Sequence, residues 1–301
     1  QYDGPVMRFD DCVQHRWKAT TVAPTEAKAK SNLAYRYKKE NGLMPTYCRY
    51  RVKMDQGTPS FEKCDMPLFL ESSVRDMRLC ESEQKREKLF EAVHRSELFD
   101  GKLGMYRVNQ ALDISELELG RAAAFTPGWL ENGSIWLHME YKYLLELLRG
   151  GLYEQFSETM RQAAIPFLDP AVYGRSTLEN SSFLVSSLNP EEALHGRGYV
   201  ARLSGSTAEF MSIWQIMMFG QKPFLRTENG VQINLQPCIP AYLIDEGRTI
   251  QAAFLENSTV LYHFAECRDY FPGNYSIRIR SMVDVDAIRQ GAATEIVADI
   301  F

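Results

Sequence analysis

The fold is decided by the stretch Trp136–Ala164, WLHMEYKYLLELLRGGLYEQFSETMRQAA. Two runs with apolar residues at helical spacing, Trp136–Leu148 and Leu152–Ala164, are separated by Gly150-Gly151, and Pro166 follows the second run. Glycine readily ends a helix and proline cannot continue one, so the sequence marks the end of each run. Two helices joined by a short turn form an αα-hairpin, which is the repeating unit of helical barrels and solenoids.

Further helices are predicted on both sides of this hairpin. Apolar residues at helical spacing indicate one around Leu68–Met77, one around Leu89–Val93, and one over Ala208–Phe219. The last is hydrophobic almost all round, which predicts full burial. Nearer the start of the chain, 25–41 is predicted as a helix and 46–53 as a strand.

Two long segments between the predicted helices are polar, punctuated by glycine and proline, and rich in aromatic residues: Asn109–Asn132 and Pro166–Thr207. Structureless connections of this length are uncommon in compact domains, and the aromatic content argues against disorder. We therefore expect ordered loops over one end of a helical array.

After about Lys222 the pattern changes to period two. Short β-rich runs such as TIQAAFL (249–255) and TVLYHFA (259–265) alternate with turn residues, which predicts an antiparallel β unit; VQINLQP (231–237), AYLI (241–244) and YSIRIRSMV (275–283) are predicted as its other strands. The chain is thus divided into a peripheral α/β segment (1–64), a helical portion (65–222) and a C-terminal antiparallel β domain (223–301).

The composition of the 301 residues is that of a folded globular protein, with 45% apolar and 24% charged residues and a net charge of −5. This balance gives no general reason to bind nucleic acid or an anionic membrane, and no apolar run is long enough to cross a bilayer. The six cysteines are scattered without metal-ligand spacing, so no metal site is predicted. The chain begins with Gln1, which predicts either a removed leader or a piece of a longer polypeptide. The compartment stays open, with the cytoplasm favoured.

The first segment that can carry chemistry is Thr126–Tyr143, TPGWLENGSIWLHMEYKY. Gly133 permits a backbone shape that other residues avoid, so Glu131, Asn132 and the helix-borne His138 can reach one space. A carboxylate, an amide and an imidazole beside tryptophans suit a sugar, because aromatic faces stack on its ring and polar groups bond its hydroxyls. The alternative is a core histidine beside an ordinary helix-entry loop.

The second segment is His195–Phe210, HGRGYVARLSGSTAEF, in which a Ser-Gly-Ser-Thr run enters the buried helix. Backbone N–H groups at a helix N-terminus, with the hydroxyls of Ser204, Ser206 and Thr207, can bind an anion. Two upstream arginines can add charge-assisted bonds to phosphate: Arg197 and Arg202. The alternative, which is compatible with anion binding, is helix capping by Ser206 or Thr207.

A third segment, Asp169–Ser187 (DPAVYGRSTLENSSFLVSS), holds Arg175, Glu179 and a serine-rich run. Nothing in it resembles a nucleophile elbow. It is predicted either to line a cleft or to form a solvated loop.

In this order the segments resemble the C-terminal half of inverting glycoside phosphorylases of the cellobiose phosphorylase type, which include the β-oligoglucan phosphorylases. That family has a Glu-Asn-Gly-Gly turn before a helix with a phosphate-binding histidine, and Glu131–His138 (ENGSIWLH) is similar. It also has a Leu-Thr-Gly-Thr/Ser loop that holds phosphate before a hydrophobic helix, and Leu203–Thr207 (LSGST) is similar. The likeness covers roughly residues 65–301.

The resemblance implies a mainly α fold with a β tail: part of an (α/α)6 helical barrel followed by an antiparallel, sandwich-like β segment. It implies phosphate-dependent, inverting cleavage of β-glucosidic bonds, with inorganic phosphate as co-substrate and no cofactor. His138, Ser204 and Gly205 would hold phosphate, and Glu131 and Asn132 would contact the β-linked glucooligosaccharide. The other expected partner is the remaining part of a longer polypeptide or a second copy of the chain.

The sequence departs from the family pattern in three respects. Leu130 stands where the family has arginine, and no Asp-Trp-Asn-Asp-like motif is present to supply the general acid. A complete barrel also needs about twelve helices, of which six or so can be placed. The alternatives are therefore a catalytically silent carbohydrate-binding or structural subunit, and a helical-barrel hydrolase or glycan synthase module that uses water or a donor sugar.

Overall fold

The computed structural model describes residues 48–80, 82–113, 115, 119–200, 204–228, 230–280, 283–292 and 294–301. These residues form seven α-helices and thirteen β-strands. Contacts between residues divide the chain into two units, Gln1–Glu209 and Phe210–Phe301. The helix predicted over 25–41 lies outside the described residues. The proposed domain limits at residues 64 and 222 stay a prediction.

The helices are α1 (Leu70–Leu79), α2 (Glu83–His94), α3 (Leu137–Arg149), α4 (Tyr153–Ala163), α5 (Pro170–Tyr173), α6 (Ser204–Phe219) and α7 (Val285–Arg289). Nine strands precede residue 234: β1 (Cys48–Asp55), β2 (Thr58–Asp65), β3 (Phe99–Asp100), β4 (Met105–Tyr106), β5 (Ile135–Trp136), β6 (Phe183–Leu184), β7 (Gly198–Tyr199), β8 (Phe224–Thr227) and β9 (Gly230–Ile233). Four more form the C-terminal sheet: β10 (Thr249–Phe254), β11 (Ser258–Phe264), β12 (Ile277–Ile279) and β13 (Glu295–Ile300).

The predicted αα-hairpin is confirmed as α3 and α4. After Arg149 the chain turns through Gly151, whose φ of +83° lies in the left-handed region that glycine tolerates best. Leu152 N donates to Leu147 O at 3.0 Å, and Gly151 N donates to Leu148 O at 3.3 Å. This pair of bonds is a Schellman motif, which satisfies two carbonyls at the end of α3 and directs the chain back along it.

The core of the first unit lies around α3. Leu144 and Leu148 on α3 and Phe156 on α4 are buried, and α1 also packs against α3. The ring of Tyr143 contacts that of Tyr106 edge-on, with centroids 4.7 Å apart. Burial of such large side chains is the main source of stability here, and it fixes the position from which α3 begins.

The second unit is built on a four-stranded sheet with the order β10-β11-β13-β12. β11 pairs antiparallel with β10 but parallel with β13, in the register Val260 with Ile296 and Tyr262 with Ala298. These four residues are buried and form one face of the core. β8 and β9 form a separate hairpin.

The predicted fold class is wrong. An (α/α)6 barrel needs six stacked helix pairs, whereas the described residues have seven helices, of which α5 and α7 have only four and five residues. The β tail is not an antiparallel sandwich either, because β13 inserts between β11 and β12 and makes the sheet mixed. The observed architecture is an α+β chain with five small sheets.

Two local predictions are also wrong. The run AYLI is a short 3₁₀ turn at Ala241–Leu243 and not a strand. Helix α6 is not fully buried, since Met211 and Trp214 are 66% and 41% exposed while Ile213 and Met217 are buried. In the described part of the chain no helix has both the length and the apolar character that a bilayer crossing requires.

Candidate functional site

A small antiparallel sheet of β5, β6 and β7 joins the three segments that the sequence singles out. Trp136 pairs with Phe183, and Phe183 pairs with Tyr199. Ser182 strengthens the junction, because its carbonyl accepts a hydrogen bond from Leu137 N at 3.1 Å and its N–H donates to Tyr199 O at 3.0 Å. Helix α3 therefore starts beside the strand that leads towards α6.

The structure brings His138 and Gly205 into contact. A Cβ atom placed on Gly205 would lie 2.8 Å from Nδ1 of His138 and 2.9 Å from its Cγ. Real Cβ contacts are not that short, so the imidazole lies against the backbone of Gly205 and only glycine leaves room for it. Two of the three predicted phosphate ligands are thus neighbours, although they come from separate segments of the chain.

Gly205 is the second residue of α6, a helix of sixteen residues. The first N–H groups of a helix have no partner within it, and the helix dipole places partial positive charge at this end. An anion is stabilised at such a position. Ser204 opens the helix, but its side chain lies outside the described residues, as do Arg202 and Leu203.

Helix α6 begins four residues earlier than predicted, at Ser204 and not at Ala208. Ser206 and Thr207 therefore lie inside the first turn, and the prediction that one of them caps the helix is wrong. Ser206 is buried and Thr207 is exposed.

Burial, followed by the nearby positive charge of Lys142, lowers the pKa of His138 from its ordinary value of 6.5. Glu209, whose Oε1 lies 3.5 Å from Nε2 of the imidazole, acts in the opposite direction, as does Glu71. The net direction leaves His138 neutral at pH 7, so it presents one N–H donor and one acceptor nitrogen.

Asn180 lies close to the same helix terminus, beside Thr207, and was missed in the sequence. Asn180 Nδ2 donates to Thr207 Oγ1 at 3.5 Å, and its Oδ1 accepts from the hydroxyl of Tyr141 at 3.1 Å. The Tyr141 hydroxyl in turn accepts from Ile165 N at 3.2 Å. This chain of bonds ties α6 to α3, and no spacing rule signals it because its members lie far apart in the sequence.

Asn132 has a different place from the one predicted for a sugar ligand. It is fully buried, its Oδ1 accepts from Leu112 N at 2.8 Å, and its Nδ2 donates to Leu112 O at 3.1 Å and to Phe125 O at 2.7 Å. Asn109 holds the same turn, since it donates to Glu131 O and accepts from Gly133 N. The Asn132 amide therefore shapes the loop.

Glu131 remains partly accessible and pairs with Arg121, a residue that the sequence did not single out. Its Oε1 accepts from Arg121 Nη2, while its Oε2 has no hydrogen-bond partner among the described residues. Leu130 before it has a φ of +49°, a conformation that costs a residue with a Cβ about 1–2 kcal/mol. Neither Glu131 nor Asn132 forms a hydrogen bond with His138 in the described part of the chain.

Four aromatic residues of the three segments form one cluster: Trp129, Trp136, Phe183 and Tyr199. The ring of Trp129 lies 4.6 Å from that of Tyr199 and 5.2 Å from that of Phe183, and Trp136 stacks on Phe183 at 6.0 Å with an interplanar angle of 8°. Contacts of this kind orient the rings. Both tryptophans keep part of their surface accessible.

Among the described residues, no three His, Cys, Asp or Glu side chains are grouped so that they could hold a metal ion. Comparison of the chain with protein-family models gives no match, and comparison with curated proteins gives none either.

Proposed function

We propose that the chain is part of an inverting glycoside phosphorylase that cleaves β-glucosidic bonds of oligosaccharides with inorganic phosphate. The observation that carries this proposal is the contact of the His138 imidazole with Gly205 at the N-terminus of α6. It joins the two motifs on which the family resemblance rests. Phosphate would be bound by His138 together with Ser204 and Gly205.

The chemistry of the junction suits a phosphate nucleophile. In an inverting reaction one carboxylic acid protonates the glycosidic oxygen while the nucleophile attacks the anomeric carbon from the opposite face. When phosphate replaces water it needs donors that hold and orient it, and a base is not required. The Gly205 backbone at the positive end of α6 and a neutral His138 supply such donors.

The sugar would lie beside the Glu131 turn and the aromatic cluster. Oε1 of Glu131 is bonded to Arg121 and its Oε2 is hidden from solvent, so the carboxylate would accept from a sugar hydroxyl only after its side chain turns outward. Trp129 and Trp136 can cover an apolar ring face with the surface they leave accessible. Asn132, whose amide is fully used, would act by fixing the position of Glu131.

The reaction also needs a general acid, which is not among the residues assigned above. Glu209 is a carboxylate at the junction, but its Oε1 lies 3.5 Å from Nε2 of His138, the proposed phosphate ligand, so it is not assigned as the acid. The acid is therefore not assigned to any residue that the structure describes. As a phosphate oxygen bonds to the anomeric carbon, the glycosidic C–O bond breaks and the proton of the acid passes to the leaving sugar oxygen.

Phosphate titration by calorimetry tests the assignment, with His138→Ala as the variant and His263→Ala as the matched control in β11. Loss of one hydrogen-bond donor to a charged ligand weakens binding by about tenfold or more. We expect that loss for His138→Ala only, with a smaller effect on binding of a β-glucooligosaccharide. Equal losses for phosphate and sugar would contradict the role assigned to His138.

A second candidate function, favoured by the absence of an acid motif, is a carbohydrate-binding subunit without catalysis. Incubation of the longest native polypeptide with a β-glucooligosaccharide separates the two. Release of a sugar 1-phosphate that requires inorganic phosphate supports the phosphorylase. Sugar binding without turnover supports the binding subunit. Hydrolysis at a rate that does not depend on phosphate supports neither function.

A further inference from the structure

A second cationic pocket is lined by residues other than His138 and Gly205. It is a cavity of about 210 Å³ lined by Tyr173, Gly174, Arg175, Arg197, Gly198 and Tyr199. The lining contains two guanidinium groups and no carboxylate. We refer to it as the Arg175–Arg197 pocket.

One wall of this pocket is closely packed and hydrogen-bonded. Tyr173 is buried, and its hydroxyl donates to Glu179 O at 2.7 Å and bonds Ser181 Oγ at 2.5 Å. A Cβ on Gly198 would lie 2.1 Å from the Tyr173 ring, so a glycine is required there for β7 to pass. The back of the pocket is therefore fixed by close packing.

Gly174 places the two arginines on the same cavity. It ends α5 with a φ of +71°, in the left-handed region, and Arg175 follows it directly. A Cβ on Gly174 would lie 3.4 Å from Nε of Arg197 and 3.9 Å from its Cζ. The Arg197 guanidinium thus lies across Gly174, next to the residue that carries the other cation.

Among the residues that the structure describes, neither arginine has a strong partner. Arg175 Nη2 lies 3.5 Å from Glu179 Oε2, an exposed pair of little energetic weight, and Arg175 Nε is hidden from solvent without a hydrogen bond. The side chain of Arg197 forms no ion pair or hydrogen bond with the described residues. Two like charges that share a small cavity repel each other unless an anion lies between them.

We propose that the Arg175–Arg197 pocket binds a phosphate dianion, as inorganic phosphate or as the phosphate group of a sugar phosphate. Guanidinium groups match phosphate oxygens in pairs of parallel hydrogen bonds, and a dianion balances both cations where a carboxylate balances one. The small volume suits one phosphate group with at most a sugar residue attached. The proposal is independent of the phosphorylase reaction, because the pocket shares no residue with the His138–Gly205 junction.

Protection from phenylglyoxal, mapped by mass spectrometry of peptides, tests this pocket residue by residue. Inorganic phosphate at about ten times its dissociation constant should slow modification of Arg175 and Arg197 by about tenfold. Arg226 on β8 is exposed and serves as the matched control, whose rate should not change. Chloride and acetate at the same ionic strength should not protect.

A parallel series with a hexose 1-phosphate separates the two sources of the phosphate group, since the ligand with the lower half-protecting concentration is the one that the pocket prefers. Protection should persist in His138→Ala, so this result does not depend on the junction. In Arg197→Gln, phosphate should no longer protect Arg175. The proposal is overturned if neither phosphate compound protects either arginine, if acetate protects as well as phosphate, or if protection disappears in His138→Ala.

Discussion

The Glu131–Asn132 turn and the His138–Gly205 junction both contain polar side chains, but these side chains differ in their burial and in how fully they are hydrogen-bonded within the protein. In the turn, Asn132 is fully buried and its amide makes three hydrogen bonds to the backbone. At the junction, the side chain of His138 is 34% exposed and its nearest charged partner lies 3.5 Å away. A polar group whose bonds are all made by the backbone shapes a site, and a weakly bonded one is available to a ligand.

The largest effect should come from removing the Asn132 amide. Asn132→Ala leaves Leu112 N, Leu112 O and Phe125 O without partners in a buried place, which should lower the free energy of unfolding by about 3–5 kcal/mol. Urea unfolding measures this. Asn257→Ala, which removes one bond at the surface, should cost less than about 1 kcal/mol. Equal stability of the two variants would show that the Asn132 amide does not hold the turn.

The second effect concerns Glu140, two residues after His138 but fully buried. Burial raises the pKa of its carboxyl from 4.5 to about 8, against the opposing bond from Tyr106 N. Between these values the folded chain holds a proton that the unfolded chain has lost. The free energy of unfolding should therefore fall as pH rises, by about 1.4 kcal/mol per unit.

Glu140→Gln should remove this slope, because the amide cannot ionise. Urea unfolding of both proteins between about pH 5 and about pH 8 gives the comparison: their stabilities should be close near pH 5, and the wild type should become the less stable of the two as pH approaches 8. Parallel pH profiles for wild type and variant would show that Glu140 does not carry a proton in the folded chain.

A third and smaller effect separates ligand binding from folding at the junction. Gly205→Ala places a Cβ 2.8 Å from His138 Nδ1 and should displace the imidazole, which weakens phosphate binding by about tenfold, or about 1.4 kcal/mol. Gly101→Ala is the matched control, since its Cβ would meet nothing closer than 3.9 Å and its φ is not in the left-handed region. Calorimetric titration with phosphate measures the affinity of both variants. An unchanged affinity in Gly205→Ala would show that Gly205 is not part of the anion site.

The smallest effect is expected at Arg121, which pairs with Glu131 from an exposed position. Exposed ion pairs contribute little, so Arg121→Gln should change the free energy of unfolding by no more than about 1 kcal/mol. Thermal unfolding measures it. A larger loss would mean that the ion pair, and not the two buried asparagines, holds the turn.

Helix positions followed from the sequence where apolar residues recur at helical spacing. The predicted runs Trp136–Leu148 and Leu152–Ala164 became α3 and α4 with shifts of one residue at their ends, because Leu144, Leu148 and Phe156 mark a continuous buried face. The strands β5 to β7 have two residues each and carry no periodic signal. Strand β13 was missed, and its parallel pairing with β11 depends on contacts far apart in the sequence.

The candidate site was predictable in part, where its residues lie close together in the sequence. The motifs around His138 and Gly205 are short and contiguous, so their residue types could be recognised, and the structure places them in contact. The hydrogen bonds that occupy the Asn132 amide are made to Leu112 and Phe125, which no local sequence pattern connects to it. The Arg175–Arg197 pocket likewise depends on how α5 and β7 approach each other.

The central claim is that His138 and Gly205 bind the same phosphate ion. Heteronuclear NMR on the chain with ¹⁵N-labelled glycine and histidine tests it directly, because both residues report in one titration with inorganic phosphate. We expect the Gly205 amide and the His138 ring nitrogens to shift together with a single dissociation constant, and His263 to stay unchanged. Saturation by phosphate that moves neither signal, or that moves the two with different constants, would contradict the claim.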